Sequence, residues 1–149
     1  MIRDKLVGTW ILESYVEYPL DGSDPLFPFG ERPEGFILYT ADGYMAAQLS
    51  MPDRARFASG DWFEGTDAEY RSQGKSYIAY SGPYDVDEGN GALTHTVAVS
   101  MFANWLGQTQ PRTIRFDGDY LILGNTSGYL SKGQAVNAEI RWRRAPARL

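Results

Sequence analysis

The most constraining feature of this 149-residue chain is a pair of short segments that lie close to its two ends. Gly8-Thr9-Trp10 stands at the start of the first strand-like run, and Ile140-Arg141-Trp142-Arg143-Arg144 ends the last one. A Gly-x-Trp at the start of an all-β chain, answered by a basic residue near the end of its last strand, is typical of a small antiparallel barrel closed at its base. Such a barrel has an interior that can hold a small apolar or amphipathic molecule.

Short strand-like runs recur along the whole chain and are separated by turn signals, which favours an all-β meander. A capping box at Thr66-Asp67-Ala68-Glu69 predicts one short helix that ends near Gly74. We therefore predict a single domain over residues 1–149, an all-β, eight-stranded antiparallel up-and-down barrel with one short helix. The predicted strands cover residues 6–18, 35–40, 44–51, 76–86, 92–102, 110–116, 120–123 and 138–144.

Two stretches carry expectations about which residues face the interior. In the first strand, Trp10, Leu12 and Val16 alternate with residues such as Tyr15, which places Tyr15 on the opposite, outward face. The Pro/Gly-rich loop 19–33 contains the apolar run Leu26-Phe27-Pro28-Phe29-Gly30. That run either folds over a barrel mouth as a lid or packs on the outside of the barrel.

Net charge disfavours a nucleic-acid partner, because phosphate backbones are bound mainly through clustered Lys and Arg and this chain has a formal charge of −5. Its basic cluster consists of Arg141, Arg143, Arg144 and Arg148 at the C-terminus. A barrel-closing strand followed by a polar tail explains that cluster better than an RNA contact does.

Cysteine is absent, which removes disulfides, thiolate metal sites and a cysteine nucleophile, and mildly favours a reducing compartment. With one histidine and carboxylates mostly in turns, we expect neither a metal nor another cofactor. Apolar runs fall short of the roughly 18–20 residues of a membrane span, and no secretory signal is visible. The expected location is the cytoplasm.

Eight motifs are spread along nearly the whole chain: Leu6-Val7-Gly8-Thr9-Trp10, Phe29-Gly30, Gly35-Phe36-Ile37-Leu38-Tyr39-Thr40, Asp42-Gly43-Tyr44-Met45, Phe57-Ala58-Ser59-Gly60-Asp61, Tyr77-Ile78-Ala79-Tyr80-Ser81-Gly82, Thr94-His95 and Asn104-Trp105-Leu106-Gly107. Together they resemble the lipocalin-like domain family of the calycin group. The resemblance implies an eight-stranded barrel with a central cavity and a base where Trp10 packs against a C-terminal arginine, for which Arg144 has the matching Trp-x-Arg spacing. Calycins include carriers, inhibitors and a few cyclases, isomerases and decarboxylases, so the fold does not decide the function. Barrels of this type often pair through the outer sheet face, and an outward Tyr15 would suit a homodimer contact.

His95 is the only histidine and shares a predicted strand face with Leu93, Val97, Val99 and Met101. An inward imidazole among apolar side chains could shuttle a proton near neutral pH. The alternative, which we favour for a lone histidine on an apolar face, is a buried, hydrogen-bonded neutral side chain that helps specify the core.

Tyr80 and Tyr84 share a face with Gly82 between them, which would leave room for a ligand beside two phenols. Gly82 could equally provide a bend that lets the barrel curve. Tyr80 is, with His95, the candidate catalytic residue.

Three further side chains are predicted to contact a ligand. Gln48 lies on a face of small and polar residues and would bind a carbonyl or hydroxyl if that face is the inner one. Arg112 would anchor a carboxylate inside the barrel, although a rim position is also consistent with the pattern. Trp105 stands at a strand-end loop, where a tryptophan often walls a cavity entrance.

The sequence leaves three functions open. The first is a barrel that binds one small amphipathic organic molecule, with aromatic walls (14 % of residues are Phe, Trp or Tyr) and a few orienting polar groups. The second is an isomerase- or cyclase-type enzyme that acts on a biosynthetic intermediate, with His95 as base and Tyr80 or Gln48 polarising an oxygen. The third is a barrel filled by its own aromatic residues that acts as a self-associating module.

Overall fold

The computed structural model describes residues 1–149 and contains one antiparallel sheet of ten strands. The strand order is β1-β2-β3-β4-β5-β7-β8-β10-β9, and an additional pairing of β1 with β10 closes eight strands into a barrel, as the sequence predicted. The short β6 pairs only with β4, and the short β9 extends the sheet beyond β10. The strands are β1 (Gly8–Pro19), β2 (Glu34–Tyr39), β3 (Tyr44–Ser50), β4 (Tyr77–Asp87), β5 (Ala92–Thr96), β6 (Val99–Ser100), β7 (Thr109–Asp117), β8 (Tyr120–Asn125), β9 (Tyr129–Ser131) and β10 (Gln134–Arg144).

The predicted short helix is α2 (Asp67–Lys75), and its capping box is confirmed. The Thr66 hydroxyl accepts from the Glu69 backbone N–H, and the Glu69 carboxylate accepts from the Thr66 N–H. A single turn of helix, α1 (Ile2–Leu6), precedes β1 at a point where the sequence predicted the strand to have begun. None of the helices is long and apolar enough to cross a bilayer.

The base of the barrel is built as the resemblance implied. The Arg144 guanidinium lies 3.8 Å from the centre of the Trp10 ring, and Trp10 donates from its indole nitrogen to the Leu6 carbonyl at 2.9 Å. Leu6 and Trp10 are fully buried, and Trp142 lies beside them in the same core cluster. A cation stacked on an indole and donating to strand-end carbonyls closes this end to solvent.

A β-bulge in β1 reverses the expected orientation of its second half. Leu12 pairs with Trp142, but the next paired residue is Ser14, opposite Arg141, so one residue is skipped in the register. An extra residue shifts the alternation of side chains by one. Tyr15 therefore points inward, contrary to the prediction that it faces outward, and this removes the basis for placing it in a homodimer contact.

The predicted strand 92–102 is broken after Thr96, because the chain crosses over Gly82 there. A Cβ on Gly82 would lie 1.9 Å from the Thr96 carbonyl oxygen and 2.9 Å from the Ala98 nitrogen. The space beside Gly82 is thus filled by backbone and offers no room for a ligand, which corrects one of the two alternatives for that glycine. Val99 leaves the face of His95 and is 66 % exposed.

Candidate functional site

A cavity of about 320 Å³ lies at the end of the barrel away from the Trp10–Arg144 base. Its wall comes from strands β1, β7, β8, β9 and β10 and from the segments that follow β6 and β8. Five of the fifteen lining residues are hydrophobic, so the wall is more polar than the aromatic cavity that the sequence suggested. The lining residues are Tyr15, Trp105, Gln108, Thr109, Gln110, Pro111, Arg112, Gly124, Asn125, Thr126, Ser127, Gly128, Tyr129, Ala138 and Ile140.

One wall of the cavity carries a hydrogen-bonded cluster around a buried carboxylate. Glu17 is 2 % exposed because the bulge in β1 turns it inward together with Tyr15. Its carboxylate accepts from the Tyr129 hydroxyl and, at 2.7 Å, from the Ser131 hydroxyl. The Tyr129 and Tyr15 hydroxyls are 2.9 Å apart. Burial raises the pKa of Tyr15 to about 12, so this phenol keeps its proton at neutral pH.

Arg112 lies on the inner face of β7 and lines the cavity. The sequence allowed either an interior or a rim position for this residue, and the structure shows the interior one. Its guanidinium donates to the Gln110 side-chain oxygen at 2.6 Å and to the Pro111 carbonyl at 3.2 Å. Neither of the two ion pairs of the chain involves it. Its positive charge is therefore not neutralised by a carboxylate of the protein.

The loop 19–33 contacts the cavity end of the barrel at two points. Leu26 pairs with Glu17 through two backbone hydrogen bonds of 2.8 Å. Phe29 then packs edge-on against Tyr15, with the ring centres 5.4 Å apart. Phe29 thus contacts a residue of the cavity wall, while no residue of the loop is itself among the lining residues, and both alternatives for this loop stay predictions.

Trp105 lines the cavity at its entrance side. It belongs to a 3-10 turn (Ala103–Trp105), and its ring packs edge-on against Tyr80 with centres 5.5 Å apart. Tyr80 itself is not a lining residue, and it connects Trp105 to the buried His95.

His95 is fully buried below the cavity and is held by two phenols. Its Nε2 lies 2.8 Å from the Tyr39 hydroxyl and its Nδ1 lies 3.3 Å from the Tyr80 hydroxyl, so one ring nitrogen donates and the other accepts. Burial, with a smaller contribution from the charge of Arg112, lowers the pKa of His95 to about 3. A neutral, fully buried imidazole of this kind is a weak base, which does not match the role of base that the isomerase or cyclase alternative gives to His95.

Two other predicted site residues lie away from the cavity. Tyr84 is buried against Tyr39, with ring centres 5.0 Å apart, and donates to the Thr40 carbonyl at 2.7 Å. Gln48 is exposed on the outer face of β3, because Met45, Ala47 and Leu49 take the inner positions. The structure therefore does not bring these two predicted site residues together with Arg112.

Sequence reasoning missed Tyr15, Glu17 and Tyr129 as a polar cluster of the cavity. Strict alternation along β1 put Tyr15 and Glu17 on the outside, and no glycine marks the bulge that reverses them. The sequence signal for this cluster is Glu17, a charged residue in the run Tyr15-Val16-Glu17-Tyr18, which is otherwise apolar or aromatic.

A closed antiparallel barrel with one open, polar-lined end and an interior cavity is the architecture of a small-molecule-binding barrel. The model of the lipocalin-like domain family matches residues 7–145. The chain belongs to that family. It is also similar to the 4'-hydroxy-3'-methoxypropiophenone carrier protein ppsC of Aspergillus oryzae, with 29 % identity in an alignment of length 108 that covers 68 % of this chain and 97 % of that protein.

Proposed function

We propose that this protein binds and carries a small amphipathic organic molecule, without covalent chemistry, in the cavity at the open end of the barrel. The observation that carries the proposal is the cavity itself, a volume of about 320 Å³ that is lined by Arg112, whose charge no carboxylate of the protein pairs, and by Tyr15 and Tyr129. This volume is at the small end of the roughly 300–1,000 Å³ that ligand pockets enclose.

Two further observations support a carrier. Membership of the lipocalin-like domain family is consistent with ligand binding in a barrel, and the similar protein from Aspergillus oryzae is a carrier of an aryl ketone. An aryl ketone with a phenol group presents an apolar ring and polar ends, which suits a wall of mixed character. Trp105, Tyr15 and Ile140 would contact the ring, and Arg112 would orient a polar end.

The proposal can be tested by filling the cavity. Ala138 lines the cavity from β10, and its neighbour Glu139 is exposed on the outer face of the same strand. Ala138→Phe should weaken binding of 4'-hydroxy-3'-methoxypropiophenone at least tenfold in isothermal titration calorimetry, because the added ring occupies the ligand volume. Glu139→Phe, which adds the same ring outside, should leave the Kd unchanged.

A second readout is the fluorescence of Trp105. A ligand in the cavity should quench tryptophan emission, and the quenching should be lost in Trp105→Phe and retained in Trp62→Phe, since Trp62 is 74 % exposed and does not line the cavity. The proposal would be refuted if the wild-type protein bound neither this ketone nor any compound retained on it after purification from its own host, as read by native mass spectrometry.

A further inference from the structure

The buried carboxylate of Glu17 lies behind the cavity wall, and it determines the direction of the hydrogen bonds made by Tyr129 and Tyr15, which line the cavity. Glu17 and His95 are the only charged or polar residues with large side chains in the buried core. No cation lies within ion-pairing distance of Glu17, so its two oxygens are satisfied by hydroxyl donors alone. A carboxylate accepts hydrogen bonds and cannot return a proton to these partners.

The order of donation follows from counting protons. Ser131 donates to one oxygen of Glu17, and Tyr129 donates its single proton to the other. Tyr129 therefore has no proton left for Tyr15, and the 2.9 Å contact between the two phenols requires Tyr15 to donate to the Tyr129 oxygen. The Tyr15 oxygen is left with lone pairs but no proton to offer to the cavity.

The β7 wall has the opposite character. Arg112 has five N–H donors and no acceptor, and only two of its hydrogen bonds go to the protein, namely to Gln110 and Pro111. The remaining donors have no protein acceptor, and both Arg112 and Tyr15 line the same cavity. The cavity thus offers a hydrogen-bond acceptor at Tyr15 and cationic donors at Arg112.

We propose that the cavity selects ligands that donate a hydrogen bond to Tyr15 through a phenol or alcohol hydroxyl and accept one from Arg112 through a carbonyl or carboxylate oxygen. This inference rests on the proposed function and specifies the ligand chemistry of the same site. A ligand whose corresponding oxygen is methylated presents only lone pairs to Tyr15, and two acceptors facing each other repel.

The test compares two ligands that differ in whether that hydroxyl proton is replaced by a methyl group. Wild-type protein should bind 4'-hydroxypropiophenone at least tenfold more tightly than 4'-methoxypropiophenone in calorimetric titrations. Tyr15→Phe removes the acceptor and should bring the ratio of the two Kd values close to one. Tyr44→Phe removes an exposed tyrosine hydroxyl on the outer face of β3 and should keep the wild-type ratio.

A second variant covers the case in which Tyr15→Phe does not fold. Glu17→Gln introduces an amide that can donate to Tyr129, which frees the Tyr129 proton for Tyr15 and turns the Tyr15 proton toward the ligand. The preference for the hydroxyl compound should then fall.

The outcomes separate this inference from the proposed function. Equal binding of the two ketones to the wild type, or an unchanged ratio in Tyr15→Phe, would overturn the selectivity and leave the carrier function standing. Binding of neither ketone, together with no retained molecule, would overturn both.

Discussion

The guanidinium of Arg144 lies 3.8 Å from the centre of the Trp10 ring, and it reaches this position across a residue that has no side chain. That residue is Gly8, where a Cβ would stand 2.5 Å from the Arg144 Nη1 atom. From there Arg144 donates to the Val7 carbonyl at 2.8 Å and to the Lys5 carbonyl. The glycine of the Gly-x-Trp motif thus makes space for the arginine that covers the tryptophan.

Gly8→Ala should lower the free energy of unfolding for two reasons. The backbone φ of +129° is strained for alanine, at a cost of about 1–3 kcal/mol, and the methyl group displaces Arg144. Arg144→Ala alone should cost about 2–3 kcal/mol through the lost stacking and hydrogen bonds. Urea denaturation of both single variants and the double variant measures the coupling.

The double variant should lose less free energy of unfolding than the sum of the two single losses, because the methyl group of Gly8→Ala no longer clashes with the guanidinium once Arg144 is replaced by alanine. Strict additivity of the two losses would show that Gly8 is needed for its backbone conformation alone.

The closed barrel could be predicted because its signals are local. Gly8 and Trp10 mark the start of the closing strand, and Arg144 follows Trp142 at a spacing that keeps both on one face. The residues that line the cavity could not be predicted as well, because one skipped residue after Leu12 exchanges the inner and outer faces of the second half of β1. That shift depends on the register against β10, a partner more than a hundred residues away, and not on the residues beside it.

The close packing at Gly82 also depends on residues that are distant in sequence, namely Thr96 and Ala98. Its neighbours in sequence do not reveal that the Thr96 carbonyl would lie 1.9 Å from an added Cβ. Gly82→Ala should destabilise the protein by about 1–3 kcal/mol, because backbone atoms must move. Gly74→Ala, in α2 with no atom within 4 Å of the new methyl group, should stabilise it by about 0.5–1 kcal/mol. Equal effects in thermal unfolding would contradict this account of Gly82.

His95 should make the protein less stable in acid. The pKa of His95 is lowered from 6.5 to about 3 in the folded protein, so the unfolded chain binds one more proton between these values. The contribution of His95 to the free energy of unfolding is complete above about pH 6.5, and it should be lost by up to about 1.4 kcal/mol per pH unit as the pH falls from 6.5 to about 3.

The single histidine makes this measurement unambiguous. Its ring proton resonances should not titrate between pH 8 and pH 5 in the folded protein. In His95→Gln, which keeps a donor and an acceptor for the two phenols, the histidine contribution to the pH dependence of urea unfolding should disappear. An imidazole that titrates near pH 6.5 would show that His95 is accessible to water.

Arg112 should matter for ligand binding far more than its neighbour on the same strand. Arg112→Gln should weaken binding of 4'-hydroxy-3'-methoxypropiophenone about tenfold to a hundredfold, because a charged donor to the ligand oxygen is lost. Arg115→Gln removes the same charge from the exposed outer face of β7 and should leave the Kd unchanged. Equal weakening in both variants would indicate a general effect of net charge and not a contact inside the cavity.

Phe29 should control how quickly a ligand leaves the cavity. Its ring packs edge-on against Tyr15, with centres 5.4 Å apart, and the Leu26–Glu17 bridge holds the loop at the barrel end. Phe29→Ala removes this contact, so the loop should open more often and koff for 4'-hydroxy-3'-methoxypropiophenone should rise several-fold in stopped-flow experiments, with a small change in kon. Phe27 is 43 % exposed in the same loop, and Phe27→Ala should leave koff unchanged. If Phe29→Ala slowed association and left dissociation unchanged, the loop would guide entry to the cavity and would not retain the ligand.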